Sequence, residues 1–444
     1  MQPLIRIKQK RLLHSALLGP LLFLTLCVLS ACQPVQIVDW SSLSELWLSS
    51  RRELEPPVGI TFMGWSAGDA ADQRLLTLVS NFNAEWTNVQ VSLQLVQNYD
   101  DVLRSTWIED SPPDLFFIDS FQLPNFIHEN RVSAISTLAA QQAQSLQTEA
   151  FYPLLVEAFT IDGTLYCLPG EFNTLALLYN KELFDKAQIS YPISTWGWLE
   201  LRTAAEAITK IPTTFFDVSG LAITADFSRW TPFLYQAGGS VMDETAATMT
   251  INTPVALEAM NFYLNLVLDG MSVEPQNISS SWSGEAFGKG KVGMIIEGNW
   301  VIPYLEQEFP DLNYGVAPLP AGPNGKATLA FSHCYAISST TPNPDAALQL
   351  VLYLTSQDAM QFLGKEQSAI PARIALQSEW LNHHPGLEPF MDGIAYARTW
   401  RFTSNFQDVI VAINVSMQQV FDAEVTPEEV LRVADMVGTD VLSR

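Results

Sequence analysis

Two carboxylates and three tryptophans stand where the chain passes between predicted elements. Asp119 ends an apolar run, and Glu171 follows a Pro-Gly break. Trp65, Trp230 and Trp300 lie at strand ends or in loops beside glycine or polar residues. Flat aromatic rings pack on the apolar C–H faces of a polyhydroxylated molecule, while carboxylates and amides hydrogen-bond its hydroxyls. These residue types predict a binding site for a solute such as a sugar.

Each of these residues also has a plainer interpretation. Asp119 can cap a following helix together with Ser120, and Glu171 and Asn173 can satisfy backbone groups at a strand junction. Two carboxylates at a defined separation can also be the acid and nucleophile of a glycoside hydrolase. The sequence holds no G-x-S-x-G, no P-loop and no metal signature. We therefore expect a binding protein, with no catalytic residue, no cofactor and no metal.

The N-terminus has the layout of a targeting segment. An apolar run over residues 17–29, 13 residues long, is too short to span a bilayer and fits a signal peptide. It ends in Leu-Ser-Ala-Cys, similar to the lipobox of bacterial lipoproteins, which predicts cleavage after residue 31 and lipidation of Cys32. The alternative is an ordinary signal peptide with an incidental cysteine. Four basic residues precede the run: Arg6, Lys8, Lys10 and Arg11.

The rest of the chain is strongly acidic. After residue 31, 19 Lys and Arg face 47 Asp and Glu, a net charge of −28. Such a chain repels phosphate backbones, so we expect no nucleic-acid partner. Roughly 410 residues exceed one typical core, which predicts two lobes. Adjacent His383 and His384 are a poor metal pair.

The order of elements is typical of a mostly parallel α/β sheet. Apolar strands over Val58–Trp65 and Val89–Val96 flank a helical pattern over 73–86, and a buried strand then ends at Asp119. Ligands of such sheets bind beyond the carboxyl ends of the strands, where Trp65 and Asp119 stand. Further helices are predicted over 195–210 with Thr195 as N-cap, over 344–362 and over 426–442.

Four segments resemble one family. Residues 162–181 (DGTLYCLPGEFNTLALLYNK), 287–300 (FGKGKVGMIIEGNW), 313–325 (NYGVAPLPAGPNG) and 369–373 (AIPAR) occur in order. They resemble extracellular solute-binding proteins, the capture subunits of ABC importers, especially the sugar-binding group related to maltose-binding protein. Gly293 replaces the usual alanine. Where many relatives have a Gly-Gly pair, this chain has Ser332-His333.

The resemblance implies a two-lobed periplasmic-binding-protein fold of type II, with three crossovers between the lobes at a hinge. These crossovers would lie over 162–181, over 331–337 and near 397–403. We expect a signal peptide over 1–31 and a lipidated tether over 32–57. Lobe 1 would comprise 58–168 and 336–397. Lobe 2 would comprise 169–335 and 398–444.

The resemblance also places the site residues. Trp65, Asp119 and Arg373 would approach the ligand from lobe 1, with Trp230 and Trp300 from lobe 2. The remaining ligand-binding candidates would lie at the hinge: Glu171, Asn173, His333 and Tyr335. Cys167 and Cys334 stand on the two predicted hinge strands, where they would form either a disulfide or two buried free thiols.

The implied partners are a pair of ABC permease subunits and their ATPase, and the lipid would hold a monomeric protein on the outer side of a bacterial membrane. A carbohydrate is the favoured ligand because aromatic residues are abundant. A polyamine, an amino acid or glycerol phosphate remains the alternative. A cationic ligand would require several acidic groups around an aromatic box.

Overall fold

The structure is a computed structural model that describes residues 56–212, 217–243, 245–365 and 368–444. Residues Pro57–Arg444 form one compact unit. The predicted signal peptide, the lipidated Cys32 and the tether up to residue 55 lie outside the described residues. No described helix is long and apolar enough to cross a membrane.

The strands form one large mixed sheet and a short hairpin. The strands are β1 (Val58–Trp65), β2 (Val89–Val96), β3 (Leu115–Asp119), β4 (Thr160–Ile161), β5 (Thr164–Leu165), β6 (Leu168–Asn180), β7 (Ser219–Ala222), β8 (Ser272–Val273), β9 (Val292–Gly298), β10 (Tyr314–Ala317), β11 (Thr328–Ile337), β12 (Ile370–Pro371) and β13 (Ala397–Thr399).

Helices cover the sheet. They are α1 (Asp69–Glu85), α2 (Tyr99–Ile108), α3 (Leu123–His128), α4 (Ile135–Gln141), α5 (Pro153–Ala158), α6 (Lys181–Ala187), α7 (Trp198–Thr209), α8 (Phe227–Gln236), α9 (Pro254–Leu268), α10 (Ser283–Gly288), α11 (Val301–Glu308), α12 (Pro344–Leu354), α13 (Gln357–Gly364), α14 (Gln377–His383), α15 (Glu388–Asp392), α16 (Gln407–Phe421) and α17 (Pro427–Ser443). In the described part of the chain, 3-10 turns lie at Thr148–Ala150, Pro275–Ile278, Ile374–Leu376 and Gly393–Tyr396.

The main path of the sheet runs β2-β1-β3-β11-β6-β9-β7-β8. β1 pairs in parallel with β2 and β3, whereas β11 is antiparallel to both β3 and β6. On the far side, β9 is antiparallel to β6 and parallel to β7. The predicted α/β sheet is therefore present, with antiparallel strands at its centre.

β6 connects the two halves of this sheet. Its first half pairs with β11 and β12, up to Thr174, and its second half, from Leu175, pairs with β9 and β10. β11 likewise pairs with β13 through its first residues and with β3 through its last. These three strands, β6, β11 and β13, overlap the segments in which the family resemblance predicts crossovers.

Two clusters of buried apolar residues hold the halves together. One includes Phe62, Leu115 and Leu350, and the other includes Leu177 and Ile413. In the second half of β6, alternate residues belong to different clusters, so this segment is buried on both faces. That explains its continuous apolar sequence.

Two predicted helices differ in detail from those observed. The helix predicted over 195–210 begins at Trp198 with Gly197 as N-cap, and Thr195 is not the cap; the N–H of Gly197 donates to the Glu200 carboxylate at 2.9 Å. The helix predicted over 344–362 is two helices, α12 and α13. Ser356 interrupts the pattern because its hydroxyl caps α13 by accepting the N–H of Ala359.

Candidate functional site

Three polar residues stand side by side across the central strands. The register opposes His333 on β11 to Asp119 on β3 and to Glu171 on β6. Directly opposed residues point to the same face of a sheet. Phe331 and Asn173 oppose each other two residues further along, on that same face. We call the face that carries these five residues the crossover face.

The Glu171 carboxylate and the His333 imidazole form a close polar pair. Nδ1 of His333 lies 3.8 Å from Oε1 of Glu171, and the two side chains are 11% and 27% exposed, respectively. Burial raises the pKa of Glu171 to about 7 and lowers the pKa of His333 to about 3. Desolvation disfavours the charged form of both groups, so the imidazole is neutral at neutral pH.

Asp119 lies at the end of β3 and also accepts a hydrogen bond from the turn that follows. One of its carboxylate oxygens accepts the N–H of Gln122 at 2.7 Å, directly before α3. Burial raises the pKa of Asp119 to about 6, against the opposing effect of the N–H donors of Gln122 and Phe121. Nearby Asp100 adds to the rise. Asp119 is therefore a desolvated carboxylate that contacts backbone donors.

Aromatic rings enclose His333 on the β1 and β3 side. The ring centroids of Trp65 and Phe117 lie 4.7 and 4.9 Å from that of His333. Tyr335, two residues along β11, lies 6.0 Å away and is only 3% exposed. Trp65 is half-buried at the carboxyl end of β1, as predicted from its position.

A line of half-buried aromatic residues continues beyond the crossover face, and the sequence analysis missed three of them. Trp300 packs on Phe331 at 5.4 Å, Phe331 on Trp400 at 5.6 Å, and Trp400 stacks on Phe121 at 5.9 Å. We call these four residues the aromatic wall. Their places in the sequence could have identified the three missed residues. Phe121 follows Asp119, and Phe331 and Trp400 lie in predicted crossovers.

Trp300 is held by an ion pair that the sequence analysis also missed. Its indole Nε1 donates to Oε2 of Glu297 at 3.1 Å, and the same oxygen accepts from Arg229 at 2.7 Å. The Arg229 guanidinium lies 5.6 Å from the Trp300 ring, a cation–π arrangement. Glu297 is almost fully buried, so its charge is matched by Arg229 and the indole is fixed in one orientation.

Cys167 and Cys334 form a disulfide, one of the two alternatives that the sequence left open. It connects the start of β6 to β11, next to a shift in register between His333 and Cys334. Gly170 occupies this bulge: a Cβ there would lie 3.1 Å from Nε2 of His333 and 3.2 Å from the Tyr335 ring. The bulge thus brings backbone close beneath the polar pair.

Trp230 does not reach the site. It lies in α8 with 0% exposure, inside the second apolar cluster and beside Phe227. The sequence placed it by its loop-like surroundings, but Asp226 caps a helix there and turns the indole inward. No face of this ring is open to a ligand, so Trp230 is a core residue.

Arg373 also has a different role from the predicted one. Its Nε donates to the carbonyl of Thr355 at 2.6 Å, and its terminal nitrogens lie 3.4 Å from Oε1 of Gln147. The guanidinium packs 4.6 Å from the Phe151 ring, and burial lowers its pKa. These contacts connect α12, the turn before Phe151 and β12, so Arg373 holds loops of one lobe together.

Two other features complete the description. The described residues contain no group of three or more His, Cys, Asp or Glu that could hold a metal ion. A groove of ≈ 1180 Å³ lies between α1, α12 and α13 and is lined by Trp86, Tyr353 and several amides. None of the candidate site residues lines it, so this groove lies away from the candidate binding site.

Residues 66–361 match the family profile of the bacterial extracellular solute-binding protein. A protein of Brucella abortus described as a binding protein is 23% identical over 82% of this chain and 88% of the relative. The maltodextrin-binding protein MdxE of Bacillus subtilis is 26% identical over 52% of this chain and 56% of its own.

Solved structures share the fold. An ABC substrate-binding protein from Listeria monocytogenes, in complex with cycloalternan, superposes with a TM-score of 0.78. It is 21% identical, and the match covers 87% of this chain and 99% of the other. The predicted two-lobed binding-protein fold is confirmed by this likeness.

Proposed function

Because the chain belongs to the bacterial extracellular solute-binding protein family, we propose that it captures a sugar or oligosaccharide between its two lobes and delivers it to an ABC permease. The aromatic wall carries this proposal. Its four rings run from Phe121, next to β3, to Trp300, next to β9, beside a row of polar groups on the crossover face. A carbohydrate requires this combination of flat apolar surface and hydrogen-bonding groups.

Similar proteins support the same ligand class. The Listeria structure holds cycloalternan, and the Bacillus relative is named for maltodextrin. The ligand of this chain would contact Trp65, Asp119, Glu171, Asn173 and His333, together with the aromatic wall. Tyr335 would line the deepest part, and Trp230 and Arg373 would support the fold only.

Capture would involve movement of the lobes about the crossovers. We assign 58–168 and 336–397 to lobe 1, and 169–335 and 398–444 to lobe 2, so that β6, β11 and β13 act as the hinge. Closure would bury the ligand and create the surface that the permease recognises. A ligand can drive closure only if it binds the closed state more tightly than the open one.

The protein would work outside the cytoplasm, anchored by lipid on Cys32 as a monomer. Its partners would be two permease subunits and their ATPase. Replacing Cys32 with alanine would release the protein from the membrane fraction while leaving ligand binding intact. Retention of the variant in washed membranes would argue against the lipid anchor.

No turnover is assigned to the acidic residues. Asp119 accepts the N–H of Gln122, and Glu171 lies 3.8 Å from the neutral imidazole of His333, so we assign both carboxylates to ligand binding rather than to an acid and nucleophile pair. Incubation with a bound oligosaccharide would return it unchanged. Release of shorter products, abolished by Glu171→Gln, would instead make the protein a hydrolase.

A thermal-shift screen of the purified protein against mono-, di- and oligosaccharides tests the function. A ligand that binds only the folded state, at 100 times its Kd, adds about 2.7 kcal/mol of stability. We expect a saccharide to raise the Tm of the wild type but not that of Trp300→Ala. Shifts with amino acids alone, and none with any saccharide, would keep the fold and discard the proposed ligand class.

A further inference from the structure

The carboxylate of Glu171 has no cationic partner in the described part of the chain. Among the residues that the structure describes, the near neighbour able to carry a positive charge is His333, 3.8 Å away, and burial keeps that imidazole neutral. Asp119, on the other side of His333, takes only backbone N–H groups. The crossover face therefore presents acidic groups without compensating positive charge.

Arginines close to the site are engaged elsewhere. Arg229 pairs with Glu297 at 2.7 Å, and Arg373 donates to the Thr355 carbonyl within one lobe. Arg401, in the third crossover, donates to the carbonyls of Glu157 and Thr160 at 2.9 and 2.6 Å. None of them can reach Glu171 without giving up buried contacts, which would leave other groups unsatisfied.

A small cavity adjoins Glu171. It has a volume of ≈ 20 Å³ and is lined by Gly170, Glu171 and Tyr335 with residues of α13 and β12. Such a volume accommodates one water-sized group. Tyr335 is only 3% exposed, so its side chain closes one side of the cavity. The cavity thus lies between the Glu171 carboxylate and a buried phenol.

The acceptors at this point match the protons of an ammonium group. A primary ammonium has three donors and no acceptor, and here it meets a carboxylate, a phenol oxygen and a neutral imidazole, which has one acceptor nitrogen. The rings of Trp65 and Phe117 pack against His333 and add electron-rich surface that favours a cation nearby. A neutral hydroxyl has a single proton to donate and does not offset the burial that raises the pKa of Glu171, whereas a cation favours the charged carboxylate.

We propose that the ligand carries a protonated primary amine, which binds in the cavity beside Glu171, Tyr335 and His333. This inference rests on the proposed function, since the aromatic wall calls for a sugar ring attached to that amine. Phe331 lies two residues from His333 on the same face, about 7 Å along the strand, close to the length of one sugar ring. The expected ligand is an amino sugar or an oligosaccharide that contains one.

Calorimetric titration of the purified protein with matched probes tests the inference. The glucosamine β-1,4 dimer is compared with cellobiose, which has hydroxyls in place of the amines, and with the N-acetylated dimer, which keeps the nitrogen without the charge. We expect the free amine to bind at least about tenfold tighter than either neutral dimer. Equal or weaker binding of the free amine would overturn the inference.

Variants locate the effect. Glu171→Gln keeps the shape of the side chain and should abolish the preference for the amine, so that the glucosamine dimer and cellobiose bind this variant with affinities within about threefold of each other. Tyr335→Phe should reduce the preference in part. Glu182→Gln, on the exposed face of α6, is the matched control and should leave it unchanged. An unaltered preference in Glu171→Gln would place the amine elsewhere and contradict the assignment.

A putrescine titration separates the two proposals. Binding of putrescine with no binding of any saccharide would uphold the amine site and discard the sugar. Binding of neutral saccharides without preference for the amine would uphold the sugar and discard the amine site. Absence of binding by every probe would contradict both.

Discussion

The His333 imidazole and the Glu171 carboxylate face each other across β11 and β6, with Nδ1 3.8 Å from Oε1. Their pKa values move apart in the sense opposite to that of an ion pair: burial raises that of Glu171 to about 7 and lowers that of His333 to about 3. Mutual attraction of charges would lower the first and raise the second. The pair is thus a desolvated acid beside a neutral base.

This relationship predicts a pH-dependent penalty on stability. A carboxyl whose pKa is higher in the folded state than its ordinary value of 4.5 holds its proton on folding, so its contribution to stability declines as pH rises from about 4.5 to about 7. The other titratable groups that face Glu171 are His333 and Tyr335, and both stay neutral in this range because burial lowers the pKa of one and raises that of the other.

Glu171→Gln should remove that penalty. The difference in unfolding free energy between the variant and the wild type should be about 1–3 kcal/mol more favourable to the variant at pH 8 than at pH 5, because the variant has no proton to lose. Urea unfolding at both pH values measures the difference. Asp119 titrates in both proteins and cancels in the comparison. A difference that is the same at both pH values would contradict the raised pKa.

The disulfide should be a major source of stability at the crossovers. Cys167 and Cys334 are 167 residues apart, and closing so long a loop restricts the unfolded chain, which typically contributes about 2–4 kcal/mol. The double Cys→Ser variant should melt at lower temperature than the wild type. A reducing agent should lower the Tm of the wild type toward that of the variant and leave the variant unchanged. Equal Tm values without reductant would argue against a bond in the folded protein.

Gly170 should be intolerant of a side chain. An added methyl would lie 3.1 Å from Nε2 of His333, tighter than ordinary contact, so Gly170→Ala should displace the imidazole and weaken ligand binding by about tenfold. Gly59→Ala is the matched control, because Gly59 is also in a strand but has nothing within 4 Å of its added Cβ. Ligand affinity measured by calorimetry should change only for Gly170. Similar affinities for both variants would mean that the bulge does not position His333.

Two tryptophans should respond differently to truncation. Trp230→Ala empties a fully buried position and should lower the unfolding free energy by about 3–5 kcal/mol. Trp300→Ala, at a half-buried position next to Phe331, should cost less stability but lose ligand binding. Chemical unfolding and calorimetry on both variants separate the effects. Loss of binding in a folded Trp230 variant, with Trp300→Ala unaffected, would reverse the assignment.

Sequence patterns were most informative for the elements. The apolar run of Val58–Trp65 is a strand with those bounds, since a short buried run flanked by turn residues has few alternatives. The family resemblance placed two of the predicted crossovers where β6 and β11 lie. The second half of β6 is mostly apolar because it is buried on both faces. The local pattern of apolar residues was sufficient to predict a strand where the prediction concerned that strand alone.

Side-chain direction was harder to predict. Trp230 and Trp300 are similar in sequence context, yet one points into a core and the other into a wall, because the helix that begins after Asp226 fixes the first. Arg373 was predicted for the site from its loop, but the carbonyl of Thr355 binds its guanidinium. Phe331 and Trp400 were missed because contacts between crossover strands depend on register, which one sequence does not encode locally.

One titration tests the central claim most directly. Calorimetry of an oligosaccharide panel, including amine-bearing members, is performed on the wild type, Trp400→Ala and Glu171→Gln. Trp400 belongs to the aromatic wall and Glu171 to the crossover face. We predict saturable binding of at least one saccharide by the wild type, weakened about tenfold or more by Trp400→Ala, with the preference for an amine lost in Glu171→Gln. Saccharide binding that neither substitution alters, or no saccharide binding at all, would contradict the account.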